Sequence, residues 1–186
     1  MTTIIPNPVI PREAIETGPK IRHFEDRDDP PRPDIQTEER DSVNAVIYNP
    51  YTNSILCLNW PRHSLRTLII GGVEKDEELE AAARREAKEE TGYTDLKLLC
   101  MAATVTVSFY AKHKGVNRSG GSACLVFILN SDSQEKISDN ELALHTPVWV
   151  DKDKAITFIN REAQQYLVRQ AIQYIDIYLN RQAAGA

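Results

Sequence analysis

Val43, Ala45 and Ile47 form one strand-like run, and Ile55 and Cys57, with Leu56 and Leu58 between them, form a second. Residues 49–53, Asn-Pro-Tyr-Thr-Asn, are turn formers, so the two runs predict a hairpin. Residues 67–70 predict a third short strand, which stops at Gly71 and Gly72. Over 76–91 the spacing turns helical. Asp76 is the expected N-cap, Glu77, Glu78 and Glu80 suit the positive end, and Gly92 suits the position after the last turn. Longer strands are expected over 96–110, where 104–107 alternate, and over 123–129. The intervening residues 112–121 read as a polar loop, and 119–122 as a flexible linker. A last strand is expected at 148–150. In the closing amphipathic helix Ile159, Ala163, Tyr166, Leu167, Ala171, Tyr174, Ile175 and Tyr178 recur at helical spacing, and its tyrosines read as core packing. Strands interleaved with two helices predict an α/β fold, a mixed sheet between helices.

The first 40 residues break this pattern. They hold seven of the ten prolines, and 25–41 is crowded with charges of both signs. Each proline removes an N–H donor and restricts its predecessor. The expectation is a loosely draped arm over 1–40, followed by a folded domain over 41–186. The alternative is an arm that packs on a second copy, giving a homodimer, or borders the active site. Val9 and Ile10 could pin it.

The net charge of −5 argues against nucleic acid or an anionic membrane as partner. It does not argue against small polyphosphates, because a divalent cation can supply positive charge locally. Cys57, Cys100 and Cys124 are odd in number and far apart, which predicts buried free thiols rather than a disulfide framework. No apolar run reaches membrane-spanning length, and the first residues lack a secretory pattern, so a cytoplasmic protein is expected. His23, His63, His113 and His145 make no HxxxH-type pair, which argues against zinc.

The chemistry lies in 71–93. On a helix, residues three and four apart share a face, so Glu86, Glu89 and Glu90 converge. Converging carboxylates repel one another and need a counter-charge. A hard divalent cation with oxygen ligands supplies it. Arg85 can hold one carboxylate by a charge-assisted hydrogen bond, Glu77 is a candidate partner for Arg85, and the Gly71 carbonyl could also face a metal. A bare pattern of three glutamates is more often a solvated helix face. What shifts the balance is the full spacing: Gly71, Glu77, Arg85, Glu86, small Ala87, Glu89, Glu90 and Gly92.

With those positions, the segment resembles the signature box of the Nudix hydrolase superfamily. Tyr93 departs from the usual aliphatic residue at the last slot, and Ile70 from a frequent proline; neither touches a charged position. The resemblance implies an α/β/α sandwich. It also implies Mg²⁺- or Mn²⁺-dependent cleavage of a diphosphate bond in a nucleoside-diphosphate-linked small molecule. Glu86, Glu89, Glu90 and Gly71 would bind the metal, Arg85 would orient a glutamate, and Glu77 would support Arg85. The general base would be Glu89, or an acid on a later loop, Glu135 or Glu141. A dinucleoside polyphosphate is one candidate substrate, because relatives acting on that class tend to carry a tyrosine where Tyr110 stands. Lys112, Lys114 and Arg118 lie in the most basic stretch and are candidates for the outer phosphates. The alternative is a nucleotide-binding or regulatory module with little turnover.

Overall fold

A computed structural model describes residues 22–112 and 114–185. The strands are β1 (His23–Glu25), β2 (Thr37–Glu39), β3 (Ser42–Asn49), β4 (Ser54–Trp60), β5 (Leu65–Thr67), β6 (Ile69–Gly72), β7 (Leu96–Ala111), β8 (Val116–Leu129) and β9 (Thr146–Asp151). The helices are α1 (Leu79–Thr91), α2 (Asp139–Leu144), α3 (Ala155–Phe158) and α4 (Glu162–Gly185). One mixed sheet runs β1-β7-β8-β3-β4-β5, with β2 added to β8, β6 to β3 and β9 to β4. The predicted mixed α/β sandwich is therefore observed.

The register of β3 explains the layering. Val43, Ala45 and Ile47 face α1, where they meet Leu79, Ala82, Ala83 and Ala87. Val46 and Tyr48 face α4, where they meet Leu167, Val168, Ala171 and Ile175. The strand is buried on both faces because α1 covers one and α4 the other, while parallel pairing with β8 and antiparallel pairing with β6 and β4 closes its edges. Ala82 and Ala83 are fully buried, and their short side chains let α1 sit close on the sheet. Tyr166 packs on Phe24 with ring centroids 5.6 Å apart, as expected of the tyrosine stripe. Tyr174 departs from that expectation and is exposed. Among the described residues, no helix is long and apolar enough to cross a membrane. The three cysteines are free. Burial pushes the thiols of Cys57 and Cys100 up to about 12 and about 11, which disfavours the reactive thiolate.

Three local expectations need correction. Residues 22–40 are not loosely draped: β1 pairs parallel with β7, β2 pairs parallel with β8, and Phe24 joins the core. The prolines at 30, 31 and 33 fall between these strands, where no ladder N–H is required. Val9 and Ile10 lie outside the described residues. Residues 116–121 are strand rather than loop, since β8 has β7 on one side and β2 on the other. Gly120 is no linker residue: a Cβ there would strike the Arg40 carbonyl, so the strand uses glycine for close backbone approach. Finally, Asp76 takes a left-handed φ of 62°, and α1 begins two residues beyond the expected start, with Glu78 at the N-cap. The reason lies in Glu77, whose Oε2 accepts the Glu74 N–H at 2.9 Å and closes a turn that delays the helix.

Candidate active site

The β6–α1 loop carries the chain from the sheet into a helix that returns over it. Glu86 then rests directly on Gly71, so that a side chain at 71 would overlap its carboxyl group. One turn later Glu90 accepts the Ile70 N–H at 3.2 Å. Arg85 joins the parts. Its Nε and Nη2 donate to Glu77 at 2.9 Å each, and Nη2 also donates to the Gly72 carbonyl at 2.9 Å. Its Nη1 donates to Glu86 at 2.6 Å and, more loosely, to Glu89 at 3.4 Å. The arginine thus ties the loop before the helix to the carboxylates on it.

Charge and burial conflict at this site. Desolvation by burial raises the Glu86 pKa, opposed by the Arg85 hydrogen bond and reinforced by Glu89 and Glu77. Glu90 is buried, and its pKa rises well above 4.5, first through desolvation and then through repulsion from Glu86. Glu77 moves the other way, because Arg85 donates to it. Glu89 is half-exposed, and among the described residues its side chain pairs with Arg85. Among the described residues, no three acidic, histidine or cysteine side chains stand close enough to surround a metal ion. Part-buried Glu86, which already meets Arg85, and buried Glu90 still fit a hard cation in donor type, as carboxyl oxygens one turn apart. Glu89 would have to turn from Arg85 to join them.

A histidine passed over in the sequence completes the cluster. His145, at the end of α2, is buried, and its Nε2 lies 3.0 Å from Glu141 and 4.0 Å from Glu90. A carboxylate only accepts, so Nε2 carries the proton when Glu141 is ionised. The ring packs on Trp60 at 4.5 Å between centroids. Nδ1 is buried without a hydrogen-bond partner among the described residues. The signal was present, since Glu141 and His145 are four apart across a helical turn, a spacing that puts them on one face. Glu135, the other late acid, pairs with Lys88 at 2.9 Å and stands apart from this cluster.

The model of the NUDIX domain family matches residues 38–170. The chain belongs to that family. Solved structures with the same fold include an Ap4A hydrolase from C. elegans in a binary complex. That structure is 22% identical, covers 74% of this chain and 98% of its own, and has a TM-score of 0.58. The dihydroneopterin triphosphate pyrophosphohydrolase of E. coli is 22% identical over 70% and 92%, with a TM-score of 0.55. The NUDIX domain of Shewanella oneidensis NrtR, solved with ADP ribose, is 18% identical over 74% and 89%, with a TM-score of 0.52. No curated protein matches the sequence.

Within this Nudix domain the basic stretch lies away from the glutamates. Ser122 pairs with Ser42, which pairs with Gly72, and Val116 lies six residues along β8, about 20 Å at ~3.3 Å per residue. Lys112 is engaged by Asp29 at 2.5 Å and Arg118 by Glu38 at 3.0 Å. The Tyr110 ring is covered by Arg32, whose guanidinium carbon lies 3.7 Å from the centroid. Lys114 is exposed at the hairpin tip. The cation beside the site is Arg40, which packs on Gly72 and pairs with Glu74 at 2.8 Å. Nothing in the spacing around Arg40 marked it, because β2 and the turn after it place it there. Arg40→Ala is therefore expected to raise KM about tenfold, the loss of one charge-assisted contact. Lys112→Ala and Lys114→Ala should each leave KM within about twofold. Steady-state kinetics on the three variants checks this; an unchanged KM for Arg40→Ala would rule that residue out.

A cavity of about 640 Å³ opens on the α4 face of the sheet, and its lining includes none of Glu86, Glu89 and Glu90. Ile70, whose N–H binds Glu90, lines it. Phe24 and Asp26 wall one side and Gln164 and Leu167 of α4 the other. Arg161 closes the rim by donating to both Asp26 oxygens, at 2.8 and 2.7 Å.

Proposed function

We propose that the chain hydrolyses a phosphoanhydride bond in a nucleoside-diphosphate-linked substrate with Mg²⁺ or Mn²⁺. The observation that supports this reading is the pair Glu86 and Glu90, one helical turn apart and held against Gly71 and Ile70, with Glu90 buried and without a paired cation among the described residues other than His145 at 4.0 Å. Glu86, Glu90 and Glu89 would hold the ion. When bound, it supplies the positive charge these carboxylates lack and polarises the diphosphate. Arg85 keeps Glu86 in place and anchors the loop through Glu77. Arg40 is positioned to meet an outer phosphate. The cavity would receive the part of the substrate beyond the diphosphate, a volume in the range of small-molecule sites.

Of the three possible bases, Glu141 has the surroundings the role asks for. It faces Glu90 and is oriented by buried His145, whereas Glu89 is tied to Arg85 and Glu135 to Lys88. Glu141→Gln is expected to lower kcat about 100-fold or more, and Glu135→Gln to change it less than twofold. Equal effects in the two variants would remove Glu141 from the mechanism.

Dinucleoside polyphosphates come first in the test, since the C. elegans neighbour is an Ap4A hydrolase. The screen adds ADP-ribose, nucleotide sugars, NADH, coenzyme A and nucleoside triphosphates, each with Mg²⁺, Mn²⁺ or EDTA. Metal-dependent cleavage of a diphosphate bond in one class, abolished by EDTA, is the expected result. Nucleotide binding with no cleavage in any class would overturn the hydrolase reading.

A further inference from the structure

Glu141 sits on a helix too slight to hold it in place. None of the six residues of α2 is buried, and Leu142 and Leu144 stand exposed beside it. A helix this short gains little from its own hydrogen bonds. The anchor is the residue that ends it. His145 is only 1% exposed, and its backbone N–H closes the helix on the Glu141 carbonyl at 3.2 Å. Its ring turns back over the same residue, with Nε2 3.0 Å from Glu141 Oε2. Trp60 fixes the ring in turn, 4.5 Å away between centroids, and the Trp60 Nε1–H donates to Thr67 Oγ1 at 2.9 Å. Strands β4 and β5 therefore set the place of the imidazole. Glu141 Oε1 has no hydrogen-bond partner among the described residues, and the side chain is 33% exposed. One carboxylate oxygen is held and the other is open to water.

We propose that His145 is a positioning residue: its Nε2–H holds one Glu141 oxygen so that the other meets the water that attacks the diphosphate. This role rests on the hydrolase reading, whereas the hydrogen bond itself does not. A carboxylate only accepts, and Nδ1 is buried with no hydrogen-bond partner among the described residues, so the ring donates from Nε2. Glu90 Oε1 lies 4.0 Å from the same nitrogen, beyond hydrogen-bond reach, which leaves that proton with Glu141.

Kinetics and NMR together test it. His145→Gln keeps an N–H donor on a side chain of similar reach, and His145→Leu removes the donor. With the substrate found in the screen, His145→Leu is expected to lower kcat about 30- to 100-fold with KM within about twofold, the cost of a misplaced base. His145→Gln should keep kcat within about fivefold of wild type. In the Glu141→Gln background, His145→Leu should cost less than about twofold more, because a residue acting through Glu141 has nothing left to position. Wild-type kcat in His145→Leu, equal losses in His145→Gln and His145→Leu, or the same loss in both backgrounds would each overturn the proposal. Nitrogen NMR on the metal-free wild-type chain reads the donor directly. A proton on Nε2 is expected, and a bare Nε2 would overturn the proposal even if no variant folds. No turnover of any diphosphate by the wild type would instead sink the hydrolase reading, and the hold of His145 on Glu141 would then stand or fall on the NMR result. Turnover with a bare Nε2 would do the reverse.

Discussion

Glu90→Gln is expected to lower kcat about 1000-fold while raising the stability of the metal-free protein. The kinetic loss follows from removing a carboxylate at the point where phosphate charge must be offset. The stability gain follows from burial. The Glu90 pKa lies well above 4.5 in the folded chain, because the carboxylate is desolvated and faces Glu86. Above about pH 4.5 the unfolded chain releases this proton and the folded chain retains it, so stability falls as pH rises through that window. Glutamine carries no such proton, so the melting-temperature gap over wild type should widen as pH rises from 4.5 in EDTA. Added Mg²⁺ should raise the wild-type melting temperature more than the variant's, since only a ligand favouring the folded state stabilises it. Wild-type turnover in Glu90→Gln would remove this residue from the site. A gap independent of pH would remove the buried-charge account.

Arg85→Lys should cost about 100-fold in kcat and a few degrees of melting temperature, despite preserving charge. The guanidinium reaches Glu77 through two nitrogens, Glu86 and Glu89 through a third contact point, and the Gly72 carbonyl besides. An ammonium is a single point and cannot span the loop and the helix together. Glu86 would then lose its hold near Gly71, and misplacement by about 1 Å can cost ~100-fold in rate. Each lost charge-assisted bond is worth about 1.5–3 kcal/mol before solvent screening at this part-exposed side chain. Glu77→Gln combined with Arg85→Lys should cost less than the sum of the single changes, because they share one linkage. Full additivity in thermal melts would show that the two residues act separately. An Arg85→Lys enzyme with wild-type kcat would show that charge alone suffices.

Much of the site was readable because helix periodicity is a local rule. Glu86 and Glu90 lie one turn apart, and that spacing alone put them on a common face. Arg85 and Glu77 are eight apart, and their pairing also needed the turn closed by Glu77 on Glu74, which the spacing did not reveal. The same local rule misled at Asp76, where a suitable N-cap residue was overridden by that turn. Period-two runs located the strands well but not their lengths, since β8 gains seven residues by pairing with the extended β7 and with β2.

Within the chain, then, sequence alone determined the element types and the carboxylate helix, because both follow from periodicity within a few residues, and the order of those elements pointed to the mixed α/β class. Tertiary structure decided the rest. Arg40 stands beside Gly72 because β2 pairs with β8, and Lys112 does not, because it lies at the far end of a long hairpin and is held by Asp29. His145 meets Glu90 across elements more than fifty residues apart. Charge and hydrogen-bonding capacity are written residue by residue, but which charges meet is set by strand order and register, and no local pattern encodes those.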